Sequence, residues 1–419
     1  MPDQRFRTWS RNAAIGEPQI LSESNMAFPT IGTTVSIALS ASASTASTHE
    51  LAFRWAALQK TQARFEGRTM LEPEIDLRRY TCRAVIDWLD VRVVVGATTQ
   101  WKWIKHHIEQ TTGQRTYVKS MENGQGATGR IFRIRFQEPL LGRVMQAIDQ
   151  VAQRWTLESA PELVGLEISV DLTPKAYSEE DLVKLFGVIA RTHLPSRDVI
   201  TDDSDRPRFF ADGDTTHVIN MDKRAPHKDK VLLLQYVHDV PPTHDSTYYT
   251  GAKRSDSSWK LMIKRVDRQN KAAGTFIKIP DDEVRVRLEV TLLGSELEKA
   301  GLRTLEDLAE FRFQTLQGSH FKFRLPTFRK ADAGIPDTFR LQKFLKAGVV
   351  GLEAMDAARR YHRPAIVRAS RKSYKPLRPE RRLGSRLVIY EDLTSKVAQA
   401  LRHLQERQQG SLVEKIAKT

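Results

Sequence analysis

Three carboxylates in two apolar segments of the chain are candidate ligands for a divalent cation. In residues 166–171 (LEISVD) the two-residue period of a strand places Glu167 and Asp171 on one face, while the apolar side chains point into a core. Glu289 belongs to a second apolar segment and would complete an oxygen-rich site for Mg²⁺ or Mn²⁺ if the two strands are neighbours. The alternative, which spacing alone favours, is a solvated strand face with Arg or Lys neighbours.

A second candidate site surrounds two tyrosines, Tyr248 and Tyr249. The chain that follows them is rich in cations, namely Lys253, Arg254, Lys260, Lys264 and Arg265. A tyrosine that attacks a phosphodiester needs its phenolate favoured and the developing phosphorane charge neutralised, and nearby Lys and Arg side chains do both. The alternative, which composition alone favours, is aromatic cross-strand packing with a basic, solvated outer face.

The other motifs are less specific. Trp101, Trp103, His106 and His107 in WKWIKHHIEQ could form a base-stacking surface, although a packed amphipathic helix with Trp103 in the core is the interpretation we favour. The sequence contains no His-x-His pair of the kind used by HUH nucleases, no HExxH and no P-loop. We therefore expect no nucleotide-driven motor activity.

The positive charge of the chain is concentrated near its C-terminus. Residues 1–320 hold 43 Lys and Arg against 42 Asp and Glu, whereas residues 321–419 hold 23 against 9. Because aromatic residues and helical patterns are interleaved with these charges, a nucleic acid is the partner we expect, with a basic solubilising tail as the alternative. The charge balance alone also permits an RNA-binding protein.

Length and composition indicate a cytoplasmic protein of two or three structural units. The chain has 419 residues and 40% hydrophobic residues. It has no apolar run long enough to span a bilayer, so we expect no membrane association. We also expect no secretory signal, because no apolar stretch follows the charged start. A single cysteine, Cys82, excludes a disulfide framework and a cysteine-rich zinc site and fits a reducing compartment.

The sequence predicts an α+β protein in four segments. Residues 1–49 are rich in Ser, Thr and Ala and are predicted to be a disordered tail. Residues 50–79 are predicted to form an amphipathic helix and a linker, because apolar residues recur at helical intervals from Leu51 to Phe65. Residues 80–320 are predicted to form a mixed-sheet, nuclease-like core with flanking helices, and residues 321–419 a basic helical region that binds DNA.

Within the core, alternation and apolar runs predict strands, and 3.6-residue periods predict helices. Ser178 and Asp181 form a capping signal for the helix that ends near 192. The predicted strands are 84–95, 130–136, 165–172, 231–237 and 284–294, the predicted helices are 139–155, 181–192 and 295–313, and the predicted hairpin is 246–266.

The C-terminal segment is predicted to contain helices at 337–348 and 349–362, a basic loop and a final helix with one apolar stripe. We interpret that stripe (Leu393, Val397, Leu401 and Leu404) as a docking or dimer face. Lys253 and Arg254 are further candidate DNA contacts. The cations expected to contact phosphates in the C-terminal segment are Arg368, Arg371, Lys372, Lys375, Arg381, Arg382 and Arg386.

The order of these motifs resembles the replication initiation factor family, which comprises rolling-circle initiators of small plasmids and filamentous phages and the related MobT conjugative relaxases. The similarity covers roughly residues 80–320 and follows the segments IDWLDVRV, GLEISVDL, YTGAKRSDSSWKLMIK and VRLEV in that order. The third segment matches the family's Tyr-x-Gly, Ser-Asp, Arg-x-Tyr-x-Lys pattern at Tyr249, Gly251, Ser255, Asp256, Lys260 and Lys264.

The resemblance implies a mixed α/β nuclease core, usually dimeric, that nicks one strand at an origin through a tyrosine and a divalent metal ion, Mg²⁺ or Mn²⁺. Glu167, Asp171 and Glu289 fall where such proteins keep acidic residues. The chain departs from the pattern at Met262, which occupies the position of the nucleophilic tyrosine, and at Lys260, which replaces the family's arginine. A thioether cannot form a phosphotyrosyl bond. Either another tyrosine replaces it, with Tyr249 and Tyr248 as the nearest candidates, or the register to the family pattern differs, or the chain binds DNA without cleaving it.

Two functions follow as expectations. The first is a DNA-binding replication initiation protein of a plasmid, phage or integrative element, with a metal-dependent single-strand endonuclease and strand-transferase activity that acts at an origin or nick site. The second is a non-cleaving DNA-binding regulator or relaxosome accessory that kept the fold and lost the nucleophile. A helicase and a second copy of the chain are candidate partners.

Overall fold

The structure, a computed structural model, describes most of the chain. The described residues are 31–41, 48–59, 62–113, 116–122, 128–200, 205–210, 231–233, 241–253, 255–270, 275–329, 337–361 and 386–416. Residues 1–30 of the predicted tail, most of the loop 201–230, the end of the predicted strand 231–237 and the basic loop 362–385 lie outside this part.

Sixteen strands are present in the described residues, and every pairing between them is antiparallel. They are β1 (Thr34–Ser40), β2 (Thr48–Ala57), β3 (Arg68–Pro73), β4 (Tyr80–Gln100), β5 (Tyr117–Ser120), β6 (Thr128–Gln137), β7 (Glu162–Pro174), β8 (Arg208–Phe210), β9 (Val231–Leu233), β10 (Tyr248–Thr250), β11 (Ser257–Lys264), β12 (Val266–Asn270), β13 (Thr275–Lys278), β14 (Arg285–Leu293), β15 (Arg324–Arg329) and β16 (Leu387–Ile389).

These strands form three sheets. A nine-stranded sheet has the order β5-β6-β4-β7-β14-β11-β10-β8-β9, and a five-stranded sheet has the order β1-β2-β3-β15-β16. Strands β12 and β13 pair only with each other among the described residues. The strands predicted at 84–95, 130–136, 165–172 and 284–294 are confirmed as β4, β6, β7 and β14, and the predicted hairpin is confirmed as β10 and β11.

Eight helices accompany the sheets in the described residues: α1 (Trp101–Thr112), α2 (Leu141–Trp155), α3 (Glu179–Thr192), α4 (Gly294–Lys299), α5 (Leu305–Glu310), α6 (Thr315–Ser319), α7 (Asp337–Tyr361) and α8 (Glu391–Ile416). The predicted cap of α3 is present, because the hydroxyl of Ser178 accepts a hydrogen bond from the backbone N–H of Asp181. The predicted break between two C-terminal helices is also present as a kink in α7 at Gly348, whose φ of 66° favours glycine. The α+β class is confirmed. None of the described helices has the length and hydrophobicity needed to cross a membrane.

The two faces of the nine-stranded sheet differ in character. Alternate residues of β4, β7, β14 and β11 form one apolar face, which α2, α3 and α8 cover. Helix α3 also contacts β1 and β2, so it packs against both large sheets. The opposite face carries charged and polar side chains, including Glu167, Ser169 and Asp171 of β7. The strand alternation therefore separates a packed core from a polar surface.

The predictions for the first two segments are wrong where the structure describes them. Residues Thr34–Ser40 form β1 rather than a disordered tail, and Thr48–Ala57 form β2 rather than a helix. Leu51 and Trp55 suit a helix, but Phe53 between them gives the two-residue period of a strand, and all three are buried. Pairing with β3 and burial against α3 make the strand the stable state.

Two helix predictions also need correction. The predicted helix at 295–313 is two short helices, α4 and α5, because Gly301 has a φ of 74° and Thr304 forms a capping box that starts α5. Helix α1 forms as predicted, but Trp103 is 51% exposed, and the residues that reach the core are Ile104 and Ile108. The apolar stripe of α1 is therefore aliphatic.

The C-terminal segment is joined to the rest of the fold. Strand β15 pairs with β3, so residues on both sides of the predicted core share the five-stranded sheet. The stripe of α8 that we interpreted as a docking or dimer face is buried within the chain, because α8 packs on β4 and α2. Its four apolar residues are Leu393, Val397, Leu401 and Leu404, each at most 1% exposed.

Candidate functional site

The polar face of the nine-stranded sheet carries a cluster of three carboxylates near its centre. Asp87 of β4, Glu167 of β7 and Glu289 of β14 each offer one oxygen, and these oxygens lie within 4.8 Å of one another. Glu167 is 2% exposed and Glu289 is 6% exposed, so their negative charges are largely removed from water. Such a cluster is stable only if cations or protons neutralise it.

Lys260 of β11 supplies a cation inside this cluster. Its Nζ donates hydrogen bonds to Oε2 of Glu167 and Oε2 of Glu289, both at 2.9 Å. The hydroxyl of Thr291 donates a further bond to Glu167. The register explains this contact, because Lys260 lies directly opposite Glu289, and Thr291 lies directly opposite Glu167.

Asp171, predicted as the third metal ligand, does not join the cluster. Both of its oxygens accept hydrogen bonds from Arg287, at 2.6 and 2.7 Å, and Arg285 lies 3.1 Å away. Arg287 also contacts Asp87 at 2.8 Å and thereby separates Asp171 from the three clustered carboxylates. Asp171 lies outside the three clustered carboxylates because its cross-strand neighbour on β14 is this arginine, and its role as a ligand stays a prediction.

Asp87 is the candidate ligand that the sequence analysis missed. Strand β4 contains a bulge between Ile86 and Trp88, where the register to β7 shifts by one residue. A bulge adds a residue to one strand. Here the added residue is Asp87, and its carboxylate lies near that of Glu167. The signal was present in the sequence, because the two-residue apolar period of β4 breaks between Ile86 and Leu89.

The three clustered carboxylates and Asp171 together hold one more negative charge than the cations beside them neutralise. Four carboxylates, Asp87, Glu167, Asp171 and Glu289, face three cations, Lys260, Arg285 and Arg287. The surplus appears at Asp87, where burial and the neighbouring charge of Glu289 raise the pKa to about 7. The polar face therefore retains a preference for one additional positive charge or proton.

The other members of the cluster respond to the same forces. Burial raises the pKa of Glu289 above its ordinary value although Lys260 opposes the effect. Burial alone would also raise the pKa of Glu167, but Lys260 and the hydroxyl of Thr291 together lower it. Burial would lower the pKa of Lys260, and the two glutamates more than compensate and raise it. Lys260 is consequently a permanent cation at neutral pH.

The two candidate tyrosines point to opposite faces of the sheet. Tyr248 packs in the apolar core at 9% exposure, and burial raises its pKa far above the ordinary range of a phenol. Tyr249 lies directly opposite Lys260 on the polar face and is half-buried, with the guanidinium of Arg208 5.6 Å from its ring centre. Adjacent strand residues alternate between faces, so only Tyr249 shares the face of the carboxylates.

The remaining residues of the predicted catalytic set also lie on β11. Met262 pairs with Arg287, Lys264 pairs with Arg285, and both therefore share the polar face with Lys260. Lys264 follows Lys260 by four residues on β11, which is roughly 13 Å along the strand. The structure thus brings Lys260 and Tyr249 to the acidic cluster and places Lys264 at its margin.

The structure describes two of the predicted DNA contacts. Lys253 is exposed in the turn between β10 and β11. Arg386 begins the short segment that leads into β16, and its carbonyl oxygen accepts a hydrogen bond from the hydroxyl of Thr327. The others, Arg254, Arg368, Arg371, Lys372, Lys375, Arg381 and Arg382, lie outside the described residues.

Comparison with known protein families and with curated proteins finds no match for this chain. The resemblance to replication initiation factors therefore stays a prediction from the motifs.

The donor set fits a hard divalent ion. Asp87, Glu167 and Glu289 present carboxylate oxygens from three adjacent strands within 4.8 Å of one another, and Mg²⁺ and Mn²⁺ prefer such oxygens. Lys260 already contacts two of these carboxylates, so a divalent ion would compete with its ammonium group. The lysine side chain is 31% exposed, which gives it access to solvent beside the cluster.

Proposed function

We propose that this chain is a DNA-binding replication initiation protein of a mobile element that nicks one DNA strand through Tyr249. The observation that carries the proposal is the placement of a tyrosine, a lysine and three carboxylates on one sheet face, although Met262 occupies the position expected for the nucleophile. Tyrosine is the residue whose oxygen forms a covalent bond to phosphorus in such reactions.

Tyr249 would attack the scissile phosphorus through its phenol oxygen. A bond forms between that oxygen and phosphorus, the bond from phosphorus to the sugar oxygen breaks, and the sugar oxygen leaves as a hydroxyl. Lys260, opposite Tyr249, and Arg208, beside its ring, would provide positive charge for the developing phosphorane. The same geometry supports resealing, because the phosphotyrosyl bond keeps the energy of the phosphodiester.

A divalent ion, Mg²⁺ or Mn²⁺, would be held by Asp87, Glu167 and Glu289. When bound, it would neutralise charge on the phosphate oxygens that contact it. Asp87 supports this role because burial, and after it the neighbouring charge of Glu289, raises its pKa, so its carboxylate would gain from a nearby cation.

The test is a cleavage assay on supercoiled plasmid that carries the DNA surrounding the gene, with Mn²⁺ or Mg²⁺, analysed with and without detergent and protease. We expect a nicked product with covalently attached protein. Tyr249→Phe should lose the covalent product completely, because phenylalanine has no oxygen to bond to phosphorus.

Tyr248→Phe is the matched control. It makes the same chemical change one residue away, on the apolar face of the same strand. Nicking that survives Tyr249→Phe and disappears in Tyr248→Phe would contradict the proposal, as would nicked product without attached protein.

A second function has one specific observation in its favour. Met262 and Arg287 occupy opposing positions on the polar face, and the ammonium group of Lys260 already contacts Glu167 and Glu289, as in a site that no longer cleaves. The chain would then be a non-cleaving regulator or relaxosome accessory. Intact plasmid under conditions in which the protein binds that DNA would favour this second function.

A further inference from the structure

Three cations lie side by side across three strands of the polar face. Lys119 of β5 is directly opposite Arg133 of β6, which is directly opposite Arg92 of β4. We call these three residues the cation row. Neighbouring strands are about 4.8 Å apart, and like charges directly opposite each other destabilise a sheet. A row of this kind is therefore costly unless an anion compensates for it.

The acidic residues near the row compensate for it only in part. Arg92 pairs with Glu162 at 2.7 Å. Asp90 accepts two hydrogen bonds from Arg135, at 2.6 and 2.7 Å, and lies 3.8 Å from Arg133. Two carboxylates thus face four cations when Arg135 is included with the row, and the surplus charge is positive.

Flat side chains lie beside the cation row. Tyr117 is 58% exposed and lies directly opposite Arg135. The guanidinium of Arg135 stacks on the ring of Trp88, 3.8 Å from its centre, and the side chain keeps 29% exposure. Aromatic rings and guanidinium planes both stack on nucleic-acid bases, and a basic surface with such planes is typical of single-strand binding.

The cation row is continuous with the acidic cluster. On β4, Arg92, Asp90 and Trp88 follow one another on the polar face, and Trp88 is paired with Glu167 of the cluster. Successive positions on one strand face are about 7 Å apart, so two steps lead from the row to the carboxylates. A strand lying along this face would reach the cluster without a bend.

We propose that the polar face of β5, β6 and β4 binds single-stranded DNA, with phosphates over the cation row and one base stacked on Tyr117. The inference rests on the proposed function in one respect, since it takes the acidic cluster to be the point to which the strand is led. Stacking on Tyr117 requires an unpaired base, which favours a single strand over a duplex.

The experiment measures binding of a fluorescein-labelled 20-nucleotide oligo(dT) to the full chain by fluorescence anisotropy at fixed salt. The double variant Lys119→Glu and Arg133→Glu should weaken binding at least about tenfold, because two phosphate contacts become repulsive. Tyr117→Ala should weaken it at least about fivefold through the lost stacking. Unchanged affinity in either variant would overturn the proposal.

The matched control is the double variant Lys102→Glu and Lys105→Glu on α1, which makes the same change in net charge. Helix α1 packs by Ile104 and Ile108 on the helix-covered side of the sheet, so this variant should bind as wild type apart from a small general effect. An equal loss in both double variants would overturn the proposal, since it would show binding by overall charge. Thermal unfolding of every variant confirms that each is folded.

Two further measurements identify the ligand and its location. A duplex or an oligo(U) RNA that competes better than oligo(dT) would overturn the assignment to single-stranded DNA. Ultraviolet crosslinking of a bromodeoxyuridine oligonucleotide should label the peptide that contains Tyr117. Crosslinks confined to the peptide with Trp101 and Trp103 would place the strand on α1 instead.

These outcomes are separable from those of the cleavage assay. If the wild-type chain does not nick plasmid and the cation-row variant loses oligo(dT) binding, the nicking function is contradicted and the binding face is supported. If the wild-type chain nicks through Tyr249 and the cation-row variant binds oligo(dT) as tightly as the wild type, the nicking function is supported and the binding face is overturned.

Discussion

Tyr248 and Tyr249 are adjacent in the chain and lie on opposite faces of the nine-stranded sheet. Tyr248 packs among apolar side chains under α3, and its phenol is held neutral by burial. Tyr249 lies opposite Lys260, which contacts Glu167 and Glu289. The same residue type is thus a packing element on one face and a candidate nucleophile on the other, and a two-residue strand period decides which.

The two faces also satisfy their polar groups in different ways. On the covered face Trp259 donates its indole N–H to the carbonyl oxygen of His320 at 2.9 Å, and His193 contacts the same carbonyl at 3.1 Å. Burial lowers the pKa of both histidines to about 4, so they are neutral. On the polar face the groups are ions that neutralise one another. The covered face should therefore govern stability, and the polar face should govern ligand binding.

The largest expected effect is the loss of packing on the covered face. Trp259→Ala removes a side chain that is 1% exposed together with its hydrogen bond, and should lower the free energy of unfolding by about 3–5 kcal/mol. Met262→Ala, on the same strand but on the polar face, should cost about 1 kcal/mol because its side chain is half-buried. Urea denaturation measures both, and equal losses would contradict the division between the faces.

A smaller effect is expected from acid. The unfolded chain protonates His193 and His320 near pH 6.5, whereas the folded chain does so only near pH 4, so the unfolded state binds more protons between these values. Stability should accordingly be retained above pH 6.5 and fall as the pH is lowered toward 4, by about 2–3 kcal/mol for each histidine.

His320→Gln isolates this contribution, because it removes one of the two titrating groups and keeps the backbone carbonyl that binds Trp259. Unfolding free energies of wild type and variant, measured from pH 4.5 to 7, should differ in slope. Parallel curves would contradict the prediction, because they would show that folding does not change the pKa of His320.

Loss of the central cation of the polar face should have a smaller effect than loss of the Trp259 side chain. Lys260→Met leaves Glu167 and Glu289 without their shared cation, and should cost about 2 kcal/mol, less than for a fully buried pair because the lysine is 31% exposed. Mn²⁺ should restore much of this loss by occupying the carboxylates. Thermal unfolding with and without the ion measures both effects.

Adding Glu167→Gln and Glu289→Gln to Lys260→Met provides the control. The triple variant has no uncompensated carboxylates at these two positions, so it should regain stability without the ion and lose the response to Mn²⁺. A Mn²⁺ response that persists in the triple variant would place the ion elsewhere.

Much of the core could be predicted from the sequence. Strands β4, β6, β7 and β14 were predicted because their apolar residues repeat every two positions or form unbroken runs, and α2, α3 and α8 because theirs follow a helical period. The prediction failed at β2. There Leu51, Phe53 and Trp55 fit the two-residue period of a strand, whereas Leu51, Trp55 and Leu58 fit the period of a helix. Contact with β3 and α3 decided between them, and such contacts are not visible in a local window.

The candidate site was predicted in part. Glu167 was named from alternation within one strand, Glu289 as part of a possible neighbouring strand, and Tyr249 and Lys260 from a hairpin that combines phenols with cations. The structure places all four on one face. Asp171 was also named but pairs with Arg287, because nothing within one strand shows which residue lies opposite on the next.

By itself the sequence determined which side chains share a strand face, because that depends only on the two-residue period. It also determined that the positive charge is concentrated after residue 320. Only the tertiary structure decided that Asp87 replaces Asp171 in the cluster, that Lys260 supplies its cation, and that Lys119, Arg133 and Arg92 form a row. The physical reason is that register and bulges are set by pairing between distant segments, and a shift of one residue sends a side chain to the other face.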